Sequence, residues 1–139
     1  MSRQFATFTL AGATYGVDVL RVQEALRYQA RTPVPLAPAG IAGLVNLRGQ
    51  VVMTIDLRPR LGLAPLAADA EPMMFVVQVD GEPISLLVDE IGDVMDVEES
   101  QFETPPDTLP ASLREVILGA YKLEGSLLLA LDVDRATAA

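Results

Sequence analysis

Ile41 opens the stretch IAGLVNLRGQVVMTID (residues 41–56), and the stretch ILGAYKLEGSLLLALD (residues 117–132) repeats its pattern. The two align without a gap at an offset of 76, and Ile, Gly, Leu, Gly and Asp are identical at matching places. Each ends in an apolar run of β-forming residues, at 50–55 and 126–131, after a glycine that suits a tight turn. Such self-similarity indicates that one structural unit is used twice.

An earlier pair of segments repeats in the same way. Residues 8–26 read FTLAGATYGVDVLRVQEAL and residues 77–95 read VQVDGEPISLLVDEIGDVM, with Gly12 matched to Gly81 at an offset of 69. Each segment belongs to a predicted β-hairpin, because short apolar runs flank a turn signal that contains glycine. The predicted strand, turn and strand are 5–10, 11–14 and 15–19 in the first copy, and 73–79, 80–82 and 84–88 in the second.

The second copy is longer than the first. The offset grows from 69 to 76, so seven extra residues separate its two blocks. They fall within residues 98–111, where three prolines indicate a loop. The best helix candidate follows at residues 112–118, begun near Pro110 and closed by Gly119. Short helical turns are also predicted at residues 57–61 and 132–136.

These repeats predict an all-β protein of two similar halves, residues 5–68 and 72–135, within one domain of 139 residues. Several short strands per half, separated by turns, are typical of a small barrel. A half of about 65 residues buries only about 60% of its extended-chain surface and is marginal alone. We therefore expect two small barrels that pack on a shared hydrophobic seam. The alternative is a single β-sandwich in which the similarity of the copies is accidental.

The composition argues against catalysis and against several classes of ligand. A net charge of −9, with only ten scattered basic residues, disfavours binding to nucleic acid or to an anionic membrane surface. The chain has no cysteine and no histidine, which removes thiolate nucleophiles, the commonest general base and the commonest metal ligand. The sequence contains neither a phosphate-binding glycine loop nor a nucleophile elbow. We therefore expect no enzymatic activity and no cofactor.

The segment at residues 89–99 is rich in carboxylates, which are the ligands of a calcium-binding loop. It fails the EF-hand pattern because Gly92 falls in the wrong place and apolar residues interrupt the acidic ones. Those apolar residues, Ile91, Val94 and Val97, predict a buried face with the acids on the solvent side. We therefore expect no metal site here. The sequence also has no apolar run near the 18 residues of a membrane helix and no signal peptide, so we expect a cytoplasmic protein.

The places where the copies differ point to function. Arg48 in the first copy is matched by Glu124 in the second, so the shared backbone pattern does not demand an arginine. Glu24 is matched by Asp93, which leads to the hypothesis that Glu24 and Arg48 pair across neighbouring strands. The second copy, with two acidic residues at these places, cannot form such a pair. The alternative is that Arg48 is only an exposed turn charge.

Three motifs together resemble the CheW-like domain family. They are YGVDVLRVQE at residues 15–24, GLVNLRG at 43–49 running on to IDLR at 55–58, and VDEIGDV at 88–94. Each motif is weak alone, but their order and spacing are specific. The resemblance covers residues 5 to 135, which is almost the whole chain. Met53 departs from the family, which commonly has proline at that place.

The resemblance implies two SH3-like five-stranded barrels, with strand exchange between the halves possible. It also implies a scaffold that bridges the cytoplasmic hairpin tips of chemoreceptors to the regulatory, CheW-like domain of the kinase CheA, at the inner face of the membrane. The receptor tip is expected in an apolar groove near the junction of the barrels. By position in the motifs, the receptor- or kinase-binding residues are expected to be Val22, Glu24, Gly43, Asn46, Leu47, Arg48, Gly49, Ile91 and Val94.

Alternative functions stay open from the sequence. CheW-like proteins also serve pilus-motility and surface-sensing kinases, and the sequence does not separate these pathways. An unrelated β-barrel module that binds a peptide or another ligand is a further alternative. Because the chain ends at Ala139, directly after the last repeated block, we expect a free-standing coupler without an attached receiver, kinase or phosphotransfer domain.

Overall fold

A computed structural model describes residues 2–27, 31–32, 35, 40–66, 70–105 and 107–137. These residues form mostly β-structure, as predicted, with three short helices. The strands are β1 Ser2–Leu10, β2 Ala13–Asp18, β3 Val22–Leu26, β4 Ile41–Leu47, β5 Gln50–Asp56, β6 Met73–Val79, β7 Glu82–Val88, β8 Glu90–Glu98, β9 Phe102–Glu103, β10 Ile117–Leu123 and β11 Ser126–Leu131. The helices are α1 Arg58–Leu61, α2 Ala111–Arg114 and α3 Val133–Thr137.

The strands form two sheets that exchange hairpins. The six-stranded sheet has the order β8-β1-β2-β11-β10-β9, and the five-stranded sheet has the order β3-β6-β7-β5-β4. The hairpin β1–β2 of the first sequence half thus lies in the sheet built mainly from the second half, and β6–β7 lies in the other sheet. Replacing each strand by its repeat equivalent converts one order into the other, apart from the two-residue strand β9. Accidental similarity does not account for this correspondence.

Parallel pairing joins the two sequence halves inside each sheet. β2 pairs with β11, where Tyr15 faces Leu129, and β5 pairs with β7, where Ile55 faces Leu86. All four side chains are buried in the same cluster. This central cluster draws on both sheets and on all three helices, and it is the shared hydrophobic seam that the fold prediction requires.

Each sheet also has a small interior of its own. In the five-stranded sheet Val45, Val52, Met74 and Leu87 are buried together, with Leu26 and Leu47 packed against them. All five strands contribute to this cluster, so the sheet curls around its own interior. In the six-stranded sheet the corresponding cluster is Phe5, Val97, Tyr121, Leu128 and Ala130.

The predicted helix at 112–118 is wrong in extent. α2 ends at Arg114, and Ile117 already begins β10. Gly119 is not a helix cap, because it lies inside β10 where the Phe102 ring occupies the space of a side chain; a Cβ there would come within 2.1 Å of the ring. The predicted loop at 98–111 likewise contains β9, which pairs with β10. The helical turns predicted near 57–61 and 132–136 are confirmed as α1 and α3.

Candidate binding surface around Arg48

The turn between β4 and β5 has a left-handed backbone, like the hairpin turns at Ala11–Gly12 and Asp80–Gly81. Arg48 and Gly49 both lie in the left-handed region, with φ of 54° and 86°, as a hairpin turn of type I′ requires. The Asn46 side chain stabilises the turn, because its Oδ1 accepts a hydrogen bond from the Gly49 N–H at 2.9 Å. A left-handed arginine costs about 1–2 kcal/mol, which glycine in its place would not. The geometry of the turn therefore does not explain why position 48 is an arginine.

The Arg48 side chain makes a two-point ion pair with Glu24. Its two terminal nitrogens lie 2.8 and 2.9 Å from the two carboxylate oxygens, which is the rigid fork geometry of an arginine–carboxylate pair. The predicted pair is thus confirmed. The predicted placement is wrong in one respect: β3 and β4 are the two edges of the five-stranded sheet and are not neighbouring strands. The pair brings these edges together because the sheet curls.

The ion pair contributes little to the stability of the fold. The Arg48 side chain is 80% exposed and that of Glu24 is 20% exposed. Exposed ion pairs stabilise a fold by only about 0–1 kcal/mol, which is no more than the cost of the left-handed backbone. The arrangement adds little net stability, yet it holds a guanidinium rigidly in solvent.

The equivalent turn of the second copy is built differently. There only Gly125, with φ of 77°, is left-handed, and Glu124 stands in place of Arg48. Asp93, the equivalent of Glu24, is hydrogen-bonded to β1: its backbone carbonyl accepts a hydrogen bond from the Thr7 hydroxyl at 2.6 Å. The rigid exposed arginine therefore belongs to the first copy alone.

A surface hollow of about 230 Å³ lies beside the ion pair. It is lined by Glu24, Leu26, Asn46, Leu47 and Arg48. The two leucines are half-buried and pack against the interior of the five-stranded sheet, so that they form an apolar floor under a charged rim. Leu26 was missed in the sequence, although it lies two residues after Glu24 on β3 and so shares its face.

Gly43 supports this surface from behind. It is buried, with φ of 135°, and a Cβ on it would lie 2.6 Å from the carbonyl oxygen of Thr32. Thr32 and Leu44 exchange two backbone hydrogen bonds of 2.8 Å, so the chain that follows β3 lies against β4 here. Gly43 permits this close approach of the two segments. The packing alone therefore explains a glycine here, without any contact with a partner.

The remaining predicted residues lie elsewhere. Val22 on β3 and Ile91 on β8 are half-buried and pack against the central cluster from the two sheets. Val94 is 58% exposed, whereas Val97 is buried, so the prediction of one buried face through Ile91, Val94 and Val97 is wrong. The cause is the alternation of side chains along a strand: Val94 and Val97 are three residues apart in unbroken register on β8 and so face opposite sides of the sheet, whereas a spacing of three suits a helix. None of these residues lines the hollow beside Arg48.

The described residues contain neither a cluster of metal ligands nor a membrane-spanning helix. No group of three or more acidic side chains in the described part of the chain is arranged to hold a metal ion. Within the same residues, no helix is long and apolar enough to cross a membrane.

Comparison with known proteins names the family. The family model of the CheW-like domain matches residues 4–139. The "Chemotaxis protein CheW" of Rhizobium meliloti (strain 1021) is 28% identical over 132 residues, covering 95% of this chain and 85% of that protein. That of Bacillus subtilis (strain 168) is 32% identical over 127 residues, covering 91% and 81%. The chain therefore belongs to the CheW family of chemotaxis scaffold proteins.

A solved structure supports the same assignment. The scaffolding protein TtCheW from Thermoanaerobacter tengcongensis superposes with a TM-score of 0.86 at 25% identity, covering 100% of this chain and 90% of that one. The fold predicted from the duplicated sequence is thus the fold of a scaffolding protein.

Proposed function

We propose that this protein is a non-catalytic adaptor that couples the cytoplasmic hairpin tips of methyl-accepting chemoreceptors to the histidine kinase CheA. The family match across residues 4–139 carries the proposal. The rigid, exposed Arg48 also supports it. Its ion pair with Glu24 adds little to the stability of the fold, so we infer that the pair serves to hold the guanidinium where a partner can contact it. The adaptor would work in the cytoplasm, held at the inner face of the membrane through the receptors.

The receptor tip would lie along the junction of the two sheets. Val22 and Ile91 are equivalent in the repeat, stand on edge strands of different sheets, and pack against the same central cluster. Their exposed parts, together with the exposed Val94, offer apolar contacts for one face of a helical hairpin. Because both residues pack against the shared core, we expect this surface to change little in shape when a receptor binds.

The surface beside Arg48 would supply the polar contacts. The Arg48 side chain is 80% exposed while that of its partner Glu24 is 20% exposed, so the pair presents mainly its positive member to solvent. Leu26 and Leu47 form the floor of the adjacent hollow, where an apolar side chain of a partner fits. Asn46 and Gly49 would act indirectly, by fixing the turn that carries Arg48.

The proposed mechanism is binding alone. Contacts of this size give affinities on the order of micromolar, or about −8 kcal/mol each. Simultaneous contacts with receptor and kinase then supply avidity in an assembly. The regulatory domain of CheA would bind another face of the scaffold, so that the state of the receptor is transmitted through a fixed geometry.

The test is kinase autophosphorylation in the presence of receptor signalling fragments, with CheA-type kinase and receptors from the same genome. We expect wild type to stimulate the kinase and Arg48→Glu to lose most of that stimulation. Arg135→Glu is the matched control, because Arg135 is also exposed (72%) and paired with a carboxylate, Asp132 at 3.7 Å. Failure of wild type to stimulate any kinase–receptor set, or equal loss in both variants, would refute the proposal.

The same assay separates the pathways that the sequence leaves open. Stimulation of a kinase from a pilus-motility or surface-sensing system, with no effect on the flagellar CheA, would assign the protein to that system. Titration against isolated receptor fragments and isolated kinase domains reports which partner the Arg48 surface binds.

A further inference from the structure

The chain passes between the two sheets twice in equivalent places of the repeat, and the two passages are built differently. The first runs from β2 to β3 through the 3-10 turn Val19–Arg21, and the second runs from β7 straight into β8 at Asp89. Each leads into an edge strand that carries a residue of the proposed receptor surface, Val22 in β3 and Ile91 in β8. The contacts of each passage therefore decide how that surface is held.

The second passage continues the sheet by a backbone hydrogen bond. The Asp89 N–H donates to the Thr9 carbonyl at 2.9 Å. Glu90 and Ile91 then pair with Thr9 and Phe8 of β1. The main chain itself thus fixes the beginning of β8.

The first passage replaces that bond by a side chain. Gln78 is the repeat equivalent of Thr9, and Leu20 is the equivalent of Asp89. In the 3-10 turn, however, the Leu20 N–H donates to Asp18 Oδ1 at 3.0 Å, and the Leu20 side chain is 87% exposed. The Gln78 carbonyl instead accepts the Nε–H of Arg21 at 3.0 Å. A guanidinium therefore serves where the other copy uses a ladder hydrogen bond.

The same guanidinium is held by the last helix. Arg21 pairs with Asp134 of α3 at 2.6 Å, and the two side chains are 36% and 58% exposed. The hydrogen bond from Arg21 lowers the pKa of Asp134, so the carboxylate is charged at neutral pH. Arg21 thus joins three segments, namely its own turn, β6 and α3.

A β-bulge makes the beginning of β3 depend on this anchor. Val22 pairs with Val77. Glu24 pairs with Val76 after a shift of register, so Val22 is separated from the regular part of the ladder. In the described sheet β3 is an edge strand that pairs with β6 alone. Arg21, directly before Val22, is therefore the polar contact that sets where this strand begins.

We propose that Arg21 is a positioning residue for receptor binding, which fixes Val22 at the junction of the sheets by joining β3 to β6 and α3. The inference rests on the proposed function, in which Val22 contacts the receptor tip. It makes Asp134 and α3 determinants of receptor affinity through Arg21. The kinase domain, bound on another face, is unaffected by this anchor.

Separate titrations with receptor signalling fragments and with the isolated regulatory domain of the kinase test this role. We expect Arg21→Met to weaken receptor binding about tenfold, as truncation of a direct contact does, and to leave the affinity for the kinase domain unchanged. Loss of stability alone would not discriminate between the two partners. An equal loss for both partners would overturn the proposal.

Arg114→Met is the matched control. Arg114 is 42% exposed, pairs with Asp107 and donates its Nε–H to the Leu109 carbonyl, so it makes the same kinds of contact as Arg21. It lies on α2, outside both passages. Its replacement should change receptor affinity by no more than about twofold, as for an ordinary surface substitution. Equal effects of Arg114→Met and Arg21→Met would refute a specific role of Arg21.

Asp134→Ala separates positioning from direct contact, because it leaves Arg21 in place and removes the carboxylate that holds it. We expect receptor affinity to fall in this variant also. The exchanged pair, Arg21→Asp with Asp134→Arg, should recover part of the affinity that Arg21→Asp alone loses. If Asp134→Ala has no effect while Arg21→Met does, Arg21 contacts the receptor itself and the positioning role is refuted.

Amide hydrogen exchange provides a test without any partner. Arg21→Met should speed exchange in β3 about tenfold, and leave β8 unchanged, because the main chain fixes the beginning of β8. Unchanged exchange in β3 would overturn the proposal even if receptor binding fell. A wild type that binds no receptor fragment would refute the proposed function and this role with it, whereas equal receptor binding by wild type and Arg21→Met would refute the role alone.

Discussion

Arg58 and Asp89 form a 2.6 Å ion pair where the chain passes from the five-stranded sheet to the six-stranded sheet. Asp89 also accepts the Ala11 N–H at 2.9 Å, so the pair ties α1 to the first hairpin as well. At the opposite passage Arg21 and Asp134 occupy related places with the charges reversed. Each segment that links the two sheets is thus held to a helix by an ion pair of one arginine and one aspartate.

The two ion pairs are expected to contribute differently to stability. Arg58→Ala should lower the free energy of unfolding by about 1–3 kcal/mol, because it leaves a partly buried carboxylate without its cation. Arg21→Ala should cost less, about 1 kcal/mol, because its ion-pair partner Asp134 is 58% exposed. Urea unfolding of both variants measures the difference. A larger loss for Arg21→Ala would contradict this ranking.

The pair Glu24–Arg48 is expected to matter more for signalling than for stability. A double-mutant cycle with Glu24→Ala and Arg48→Ala should give a coupling energy of about 0.5–1 kcal/mol in urea unfolding. Stimulation of the kinase should fall much further than such a loss of stability explains. Zero coupling would show that the pair is not formed in solution.

Acid should weaken the 3-10 turn Val19–Arg21, which joins the two sheets and carries Leu20. Asp18 and Asp134 both have a pKa below the ordinary value of 3.8. Burial raises the pKa of Asp18, but the hydrogen bond from the Leu20 N–H and the ion pair with Arg3 outweigh it. The pKa of Asp134 is lowered by its ion pair with Arg21. A carboxylate with a lowered folded-state pKa stabilises the fold above its unfolded-state pKa, and that contribution is lost as the pH falls through the folded-state pKa. Stability should therefore be steady from pH 7 to about 5 and decline below about 4. Asp18→Asn should flatten this decline in urea unfolding between pH 5 and 3, and an unchanged slope would contradict the assignment.

The two matched glycines should differ in their tolerance of alanine. Gly43→Ala should cost about 3 kcal/mol, because the added methyl group meets the Thr32 carbonyl and the backbone has a φ of 135°. Gly119→Ala should cost about 1 kcal/mol, because its obstacle is the ring of Phe102, a side chain that can move. Combining Gly119→Ala with Phe102→Leu should restore part of the loss, as thermal unfolding would show. An additive loss in the double variant would place the obstacle elsewhere.

A buried hydroxyl offers a route to a more stable protein. The Thr54 Oγ1 on β5 is fully buried and has no hydrogen-bond partner among the described residues. Thr54→Val should therefore raise the free energy of unfolding by about 1 kcal/mol. Thr7→Val is the control, because the Thr7 hydroxyl is 2.6 Å from the Asp93 carbonyl oxygen and its loss should destabilise the protein by a similar amount. If both variants were destabilised equally, Thr54 would have a partner in solution.

The repeat made the strands predictable because it is a local signal. Glycine-containing turns at the same places in both copies predicted the hairpins, and the difference between Arg48 and Glu124 led to the pair with Glu24. The predicted helix at 112–118 failed because Gly119 resembles a helix cap in sequence but serves the packing of Phe102. That contact joins segments whose relation only the folded chain reveals.

The surfaces were less predictable than the strands. Val94 was predicted to be buried from its spacing of three with Ile91 and Val97, but that spacing suits a helix, and on the strand β8 it places Val94 and Val97 on opposite faces. Leu20 stood inside a recognised motif, where its exposure depends on the ion pairs of Arg3 and Arg21 with distant residues. The parallel pairs that join the sequence halves likewise have no local signature.

The exchange of hairpins between the sheets says something about ancestry. A chain with only the first-half strands would supply β1–β2 to one sheet and β3–β5 to another, and neither sheet would be complete. Two identical half-length chains could complete both by trading hairpins, as an intertwined pair. The present architecture is what gene duplication and fusion of such an ancestor would leave, with residues 63–72 as the joint between former subunits.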